Sequence, residues 1–157
     1  MSLYLGIDPG KSGGIATVTS NGVPEAHKMP PTETDTLSLI TSFQEEGGEG
    51  VKFAVIEKVG ARPGDGVVSM FKFGMGYGSL RMALIALGIP FEEVRPQTWQ
   101  NGLDIPPRKK SGRGAESHTQ FKNRLKAKAQ QLFPDVDVTL AICDALLIAE
   151  FCRRTYQ

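Results

Sequence analysis

The chain has 157 residues, 40% of them hydrophobic, and a formal charge of +1. That length suits one compact domain over residues 1–157 and is short for two. No apolar run approaches 18 residues, no leader-like start and no Cys/His ligand spacing stand out, so the sequence reads as a cytoplasmic, reduced protein with no membrane partner.

Taken in order, Leu3-Tyr4-Leu5-Gly6-Ile7-Asp8-Pro9-Gly10 is an apolar run that stops at a carboxylate and a Pro-Gly turn. Such a run predicts a buried strand with Asp8 at the rim of a sheet, where it either shapes the turn or serves as a metal ligand. Gly6 to Ser12 also approaches a phosphate loop, G-x-x-x-G-K-S, but it is one residue short. Gly13-Gly14 and the β-type Ile15-Ala16-Thr17-Val18-Thr19 follow instead of a helix, which fits a hairpin with Asp8 at its mouth. A turn at Asn21-Gly22 and a strand ending near Met29 complete a three-stranded meander.

Thr32 to Glu46 has helical spacing in Leu37, Ile40 and Phe43, with Thr34 and Asp35 as capping candidates and Gly47-Gly48 as the stop. Val51 to Glu57 then repeats the opening theme, an apolar strand ending in an acid. Glu57 on its own marks where a strand meets water. Two buried strands joined by one crossover helix are expected to be neighbours, however, so Asp8 and Glu57 should emerge side by side, an arrangement a divalent cation makes tolerable.

A glycine-rich loop, Gly60 to Gly66, leads into a helix from about Val68 to Leu87 that contains Gly74, Gly76 and Gly78. Each glycine weakens a helix by about 1 kcal/mol relative to Ala, so a break or close backbone packing is expected there. Phe71, Phe73 and Tyr77 read first as core, or else as a wedge for unstacked DNA if one is exposed. Ile89 to Val94 predicts another strand, and Trp99 beyond it a core anchor.

Charge is segregated along the chain. Residues 25–57 carry seven acids, whereas Arg108, Lys109, Lys110, Arg113, Lys122, Arg124, Lys126 and Lys128 share their stretch with Glu116 alone. The first half of that stretch, with Pro106, Pro107, Gly112 and Gly114, reads as a mobile loop ordered by a polyanion, and Ser117 to Phe133 as a basic helix. The whole stretch is either a phosphate-facing surface or a solvated one. Leu140 to Arg153 predicts the last helix, which carries both cysteines, Cys143 and Cys152, about 13 Å apart and unable to bridge. Asp144 lies in its apolar run and needs either a cation or an ion pair with a base of the preceding helix.

Together, Leu5-Gly6-Ile7-Asp8-Pro9-Gly10, the strand-terminal Glu57, Phe73-Gly74-x-Gly76-Tyr77-Gly78, the helix from Lys122 to Phe133-Pro134, and Asp144-Ala145-Leu146-Leu147-Ile148-Ala149 resemble the RuvC-like Holliday junction resolvases. The resemblance spans nearly the whole chain and leans towards the phage-type branch. It implies an α/β, RNase H-like fold with a five-stranded mixed sheet flanked by helices. It also implies a metal-dependent endonuclease that nicks branched DNA symmetrically as a homodimer, leaves a 5′-phosphate and uses no nucleotide cofactor. Asp8, Glu57 and Asp144 match three of the family's four acidic positions and would hold Mg²⁺ (or Mn²⁺) in a two-metal hydrolysis, with Lys122 near the scissile phosphate.

Arg108, Lys109, Lys110, Arg113, Lys122, Arg124, Lys126 and Phe73 are the expected DNA contacts, and the glycine-rich helix the expected dimer face. The fourth acidic position is Ala141, which cannot bind metal, and Asp135 or Asp137 would reach the site only through water. Two other readings compete. An actin-like ATPase or sugar kinase begins with a similar hairpin but needs a second domain that 157 residues do not supply. A branched-DNA-binding module of the same fold, weak or inactive as an enzyme, is the alternative to which Ala141 points.

Overall fold

The computed structural model describes residues 1–46 and 48–157, so Gly47 of the expected helix stop lies outside the described residues. Five strands form one sheet: β1 (Leu3–Asp8), β2 (Gly14–Thr19), β3 (Pro24–Lys28), β4 (Val51–Glu57) and β5 (Phe91–Val94). Their order is β3-β2-β1-β4-β5. The meander supplies antiparallel β1–β2 and β2–β3 pairs, whereas β4 and β5 run parallel to β1 and β4. Short turns force the first three strands antiparallel, and helical crossovers allow the last two to be parallel.

The five helices are α1 (Glu33–Glu46), α2 (Val67–Ala86), α3 (Pro96–Gly102), α4 (His118–Leu132) and α5 (Cys143–Tyr156). They divide between the two faces. Leu3, Leu5, Ile7, Ala54 and Ile56 form one core with Ile40 and Phe43 of α1 and Leu80 and Leu84 of α2. Tyr4, Val55 and Ala16 form the other with Trp99 of α3, Leu125 and Ala129 of α4 and the length of α5. The alternation along β1 and β4 divides these two sets, because successive strand residues face opposite sides.

One glycine fixes how closely the layers approach. A Cβ on Gly6 would lie 2.2 Å from the Ala149 backbone N and 2.5 Å from the Ala145 carbonyl O, so α5 crosses β1 nearly backbone to backbone. Ala145 and Ala149, one helical turn apart, complete that crossing. From Cys143 to Cys152 every residue of α5 is buried, which makes it the central helix of the molecule.

Several local expectations are corrected. Thr32, not Thr34 or Asp35, caps α1, its Oγ1 accepting from the Asp35 backbone N–H at 3.0 Å. Leu37 is exposed. β5 begins at Phe91 rather than Ile89. The glycines of α2 neither break it nor mark close packing inside the chain, since a Cβ on Gly74, Gly76 or Gly78 would meet nothing within 4 Å. Phe71, read as core, is 69% exposed.

Candidate active site

The period of the strand aims the site. In β1 the residues facing α5 are Tyr4, Gly6 and Asp8, and in β4 they are Phe53, Val55 and Glu57. The parallel register pairs Gly6 with Val55 and Ile7 with Ile56, so Asp8 and Glu57 stand next in line at the same end of neighbouring strands. The close crossing at Gly6 brings the first turn of α5, with Asp144, over that end. Tight β-turn geometry completes the mouth. A Cβ on Gly13 would lie 2.0 Å from the Asp8 carbonyl O, and Asp8 pairs with Gly14 across the hairpin.

Two of the acids have different partners. Lys122 Nζ, from α4, donates to Asp144 Oδ2 at 2.7 Å. The ion-pair reading of Asp144 is therefore realised, by the base that the resemblance placed near the scissile phosphate. Cys143 Sγ also donates to Asp144, at Oδ1 and 3.3 Å, and burial pushes its thiol up to about 12, so it remains a thiol. Trp99 Nε1 donates to Glu57 Oε2 at 2.8 Å. The core-anchor expectation for Trp99 holds, but sequence reasoning missed that its ring has a polar edge on the site. A fully buried indole needs an acceptor, and this requirement was the available signal.

Charge at the site is out of balance. Burial, then the charges of Asp144 and Glu57, hold the Asp8 carboxyl up at about 8. Burial raises Glu57 to about 6, against the stabilising Trp99 hydrogen bond. Burial pulls Lys122 down, yet its ion pair with Asp144 and the charge of Asp8 leave it above the ordinary lysine value. Arg62, in the loop after β4, also acts on Glu57 and was not among the expected site residues.

The donor set is carboxylate oxygen throughout, which suits Mg²⁺ or Mn²⁺ in chemistry. Three crowded acids against one ammonium call for more positive charge. As they stand, no three His, Cys, Asp or Glu side chains among the described residues close into a metal-holding group. Asp144 Oδ2 is shared with Lys122, so a cation there competes with the ammonium. Ala141 adds a methyl group, and Asp135 and Asp137 are exposed and absent from the charges acting on Asp8 and Glu57.

The other expected contacts surround this end of the sheet. Phe73 packs over the β1–β2 turn, its Cε2 lying 3.3 Å from where a Cβ on Gly10 would be, and stacks on Tyr77 with ring centroids 6.2 Å apart. Tyr77 in turn donates to Glu93. The basic loop makes hydrogen bonds within itself and to the start of α4. Arg124 grips Glu116 with two bonds of 2.9 Å, Arg108 donates to the Glu116 carbonyl, and Lys109 donates to the Arg113 carbonyl. Lys109, Lys110 and Arg113 are exposed, whereas Arg108, Lys122, Arg124 and Lys126 are half-buried. Ser117 and Gln120 form a reciprocal capping box that starts α4 and fixes the approach of Lys122.

No protein-family model and no curated protein sequence matches the chain. Among the described residues no helix is long and apolar enough to cross a membrane. Solved structures do match. The chain is similar to Thermus thermophilus RuvC in complex with Holliday junction substrate, with a TM-score of 0.61 and 16% identity over 99% of this chain and 97% of that one. A second Thermus thermophilus RuvC structure matches with a TM-score of 0.59 and 18% identity, over 98% and 96% of the two chains. Both are bacterial proteins, so the lean towards a phage-type branch gains no support. The chain has the RNase H-like fold of the RuvC structures.

Proposed function

We propose that this protein is a structure-specific endonuclease that hydrolyses phosphodiesters of branched DNA, four-way junctions first. One observation carries the reading: Asp8, Glu57 and Asp144 arrive from two strands and a helix at one end of the sheet, in the fold of a protein solved on a Holliday junction. Asp8 feels the charge of both other acids, and the three carboxylates would together hold the cation. Mg²⁺ or Mn²⁺ at these oxygens would supply an activated water and stabilise the departing 3′ oxygen. Lys122, released from Asp144, offsets charge on the phosphate. Exposed Lys109, Lys110 and Arg113 hold the flanking backbone, and Phe73 lies close enough to the Asp8 turn to meet an unstacked base beside the nick.

The working unit in this reading is a homodimer, because paired nicks on a two-fold junction need two sites. Val67, Val68, Phe71, Met75, Met82 and Ile85 of α2 are all exposed. At 3.6 residues per turn they fall on one stripe about 100° wide, with Gly74 and Gly78 along its edge. A helix apolar on its outer face and open at its glycines fits a second copy of itself. A groove of about 1180 Å³ between α1 and α2, lined by Met82, Ala83 and Leu37, continues that face.

One observation favours a second reading, a branched-DNA-binding module without catalysis. The three acids form no closed metal group, and Ala141 stands where a fourth ligand is expected. Cleavage of a synthetic four-way junction in Mg²⁺, Mn²⁺ and EDTA, with wild type beside Asp8→Asn, separates the two. Paired symmetric nicks that vanish in EDTA and in the variant are expected. Tight junction binding with no nicks in either metal would leave the binding module.

A further inference from the structure

Asp144 and Glu57 are held by partners of opposite kind. The partner of Asp144 is a flexible, charged lysine that is one-third exposed. The partner of Glu57 is Trp99, the one tryptophan in the chain, whose ring is fully buried against α4 and α5. A long ammonium can swing away and give up its carboxylate. A ring locked in the core cannot.

The choice of residue carries information. Filling the space below β4 requires only a large apolar side chain, and phenylalanine supplies that without a buried N–H to satisfy. The indole adds one neutral donor, placed 2.8 Å from Glu57 Oε2. A neutral donor fixes the geometry of a carboxylate and leaves its negative charge for another cation, whereas lysine or arginine would neutralise it. Among the described residues the indole is the only hydrogen-bond donor to Glu57, so Oε1 and one lone pair of Oε2 remain open. A glutamate at a strand end, with its several rotatable bonds, would otherwise sample many positions.

Trp99 is set in turn by its own helix. The short helix begins at Pro96, packs against α5 and buries Trp99 alone of its residues. We propose that Trp99 is a positioning residue for Glu57: its indole N–H holds the carboxylate in the orientation that takes a divalent cation. This rests on Glu57 being a metal ligand, and groups that orient ligands in this way typically change metal affinity 10- to 100-fold.

The single tryptophan also supplies the test. In ¹⁵N-labelled protein it gives one indole N–H resonance, which reports Glu57 directly. Mg²⁺ alone is the probe, followed by that resonance and by calorimetry in wild type, Asp8→Asn, Trp99→Phe and, as a packing control in the core on the other face of the sheet, Ile40→Ala. In wild type the indole signal should shift saturably with the calorimetric dissociation constant, and the shift should vanish in Asp8→Asn. Trp99→Phe should weaken Mg²⁺ binding by about tenfold or more, while Ile40→Ala lowers the melting temperature and keeps the affinity. If wild type binds Mg²⁺ and Asp8→Asn does not, yet the indole signal stays still, the role of Trp99 is overturned and the proposed function stands. Equal affinity in Trp99→Phe and wild type has the same meaning. Should wild type bind no Mg²⁺ at all, the metal reading fails and the role of Trp99 with it. Where Trp99→Phe does not fold, the wild-type and Asp8→Asn indole titrations alone decide.

Discussion

Asp8 stores the tension of the site. Its carboxyl titrates at about 8 in the folded protein against 3.8 ordinarily, because burial and two neighbouring acids oppose its charge. A carboxyl raised in this way keeps its proton in the folded chain after the unfolded chain has lost it. The contribution of Asp8 to folding stability is then greatest below about pH 4 and declines as pH rises towards 8. Glu57, raised from 4.5 to about 6, adds to the decline only in the lower part of that range. Between pH 6 and 8 the slope belongs mainly to Asp8. Metal-free protein should therefore lose about 1–2 kcal/mol of stability over that interval in urea melts, and Asp8→Asn should flatten the loss. Mg²⁺ should stabilise wild type more at pH 8 than at pH 6, since it replaces a proton. A metal-free stability that rises from pH 6 to 8 would contradict this account. Lys122→Met tests the ammonium separately. It strips the cation from an Asp144 that is only 5% exposed, and should lower stability by about 1–3 kcal/mol, reduced from a fully buried pair because Lys122 is partly solvated. With Lys122 acting on the phosphate, junction nicking should drop about 100-fold while Mg²⁺ calorimetry still registers binding.

Among the elements, the crossing of α5 over β1 is the least forgiving. Gly6→Ala would drive a methyl group to 2.2 Å from a backbone nitrogen of α5, with Ala145 and Ala149 already as small as a helix usually permits. We expect a loss of about 3 kcal/mol or more in chemical denaturation, larger than for most overpacked side chains because backbone must move. The same crossing explains what the sequence made legible. Continuous apolar runs that end in acids, and an acid among apolar residues of the last helix, are signals of chain direction and burial, and they singled out Asp8, Glu57 and Asp144. The choice among Thr32, Thr34 and Asp35 as a cap depends on where the first turn closes, and three eligible neighbours do not reveal it. The Trp99 hydrogen bond joins residues 42 apart in sequence and leaves no local pattern. The loop before α4 looked mobile from its prolines and glycines. Glu116, whose carboxylate and carbonyl collect Arg124 and Arg108 around that loop, is a tertiary detail that composition does not carry.

The glycines of α2 are where the proposed dimer can be tested. In a monomer, Gly74 and Gly78 are interior helix positions with open space around a would-be Cβ, and replacing each with alanine should stabilise the chain by about 1 kcal/mol. In a dimer with α2 against its counterpart, the same methyl groups would separate the helices and weaken association. The double variant Gly74→Ala/Gly78→Ala therefore discriminates between the two states by sign. Sedimentation of wild type should give twice the 17.0 kDa of one chain, and the double variant should shift the equilibrium towards monomer. Phe71→Glu, on the same stripe and 69% exposed, should do so more completely. Such a monomer keeps its carboxylates and basic loop, so it should still nick a junction, but on one strand at a time, with the paired symmetric product lost. Its junction affinity should also fall less steeply with salt, because each copy brings its own phosphate contacts and half of them are gone. A wild type that sediments as a monomer while producing paired nicks would remove α2 from the mechanism and require symmetry to come from the DNA instead.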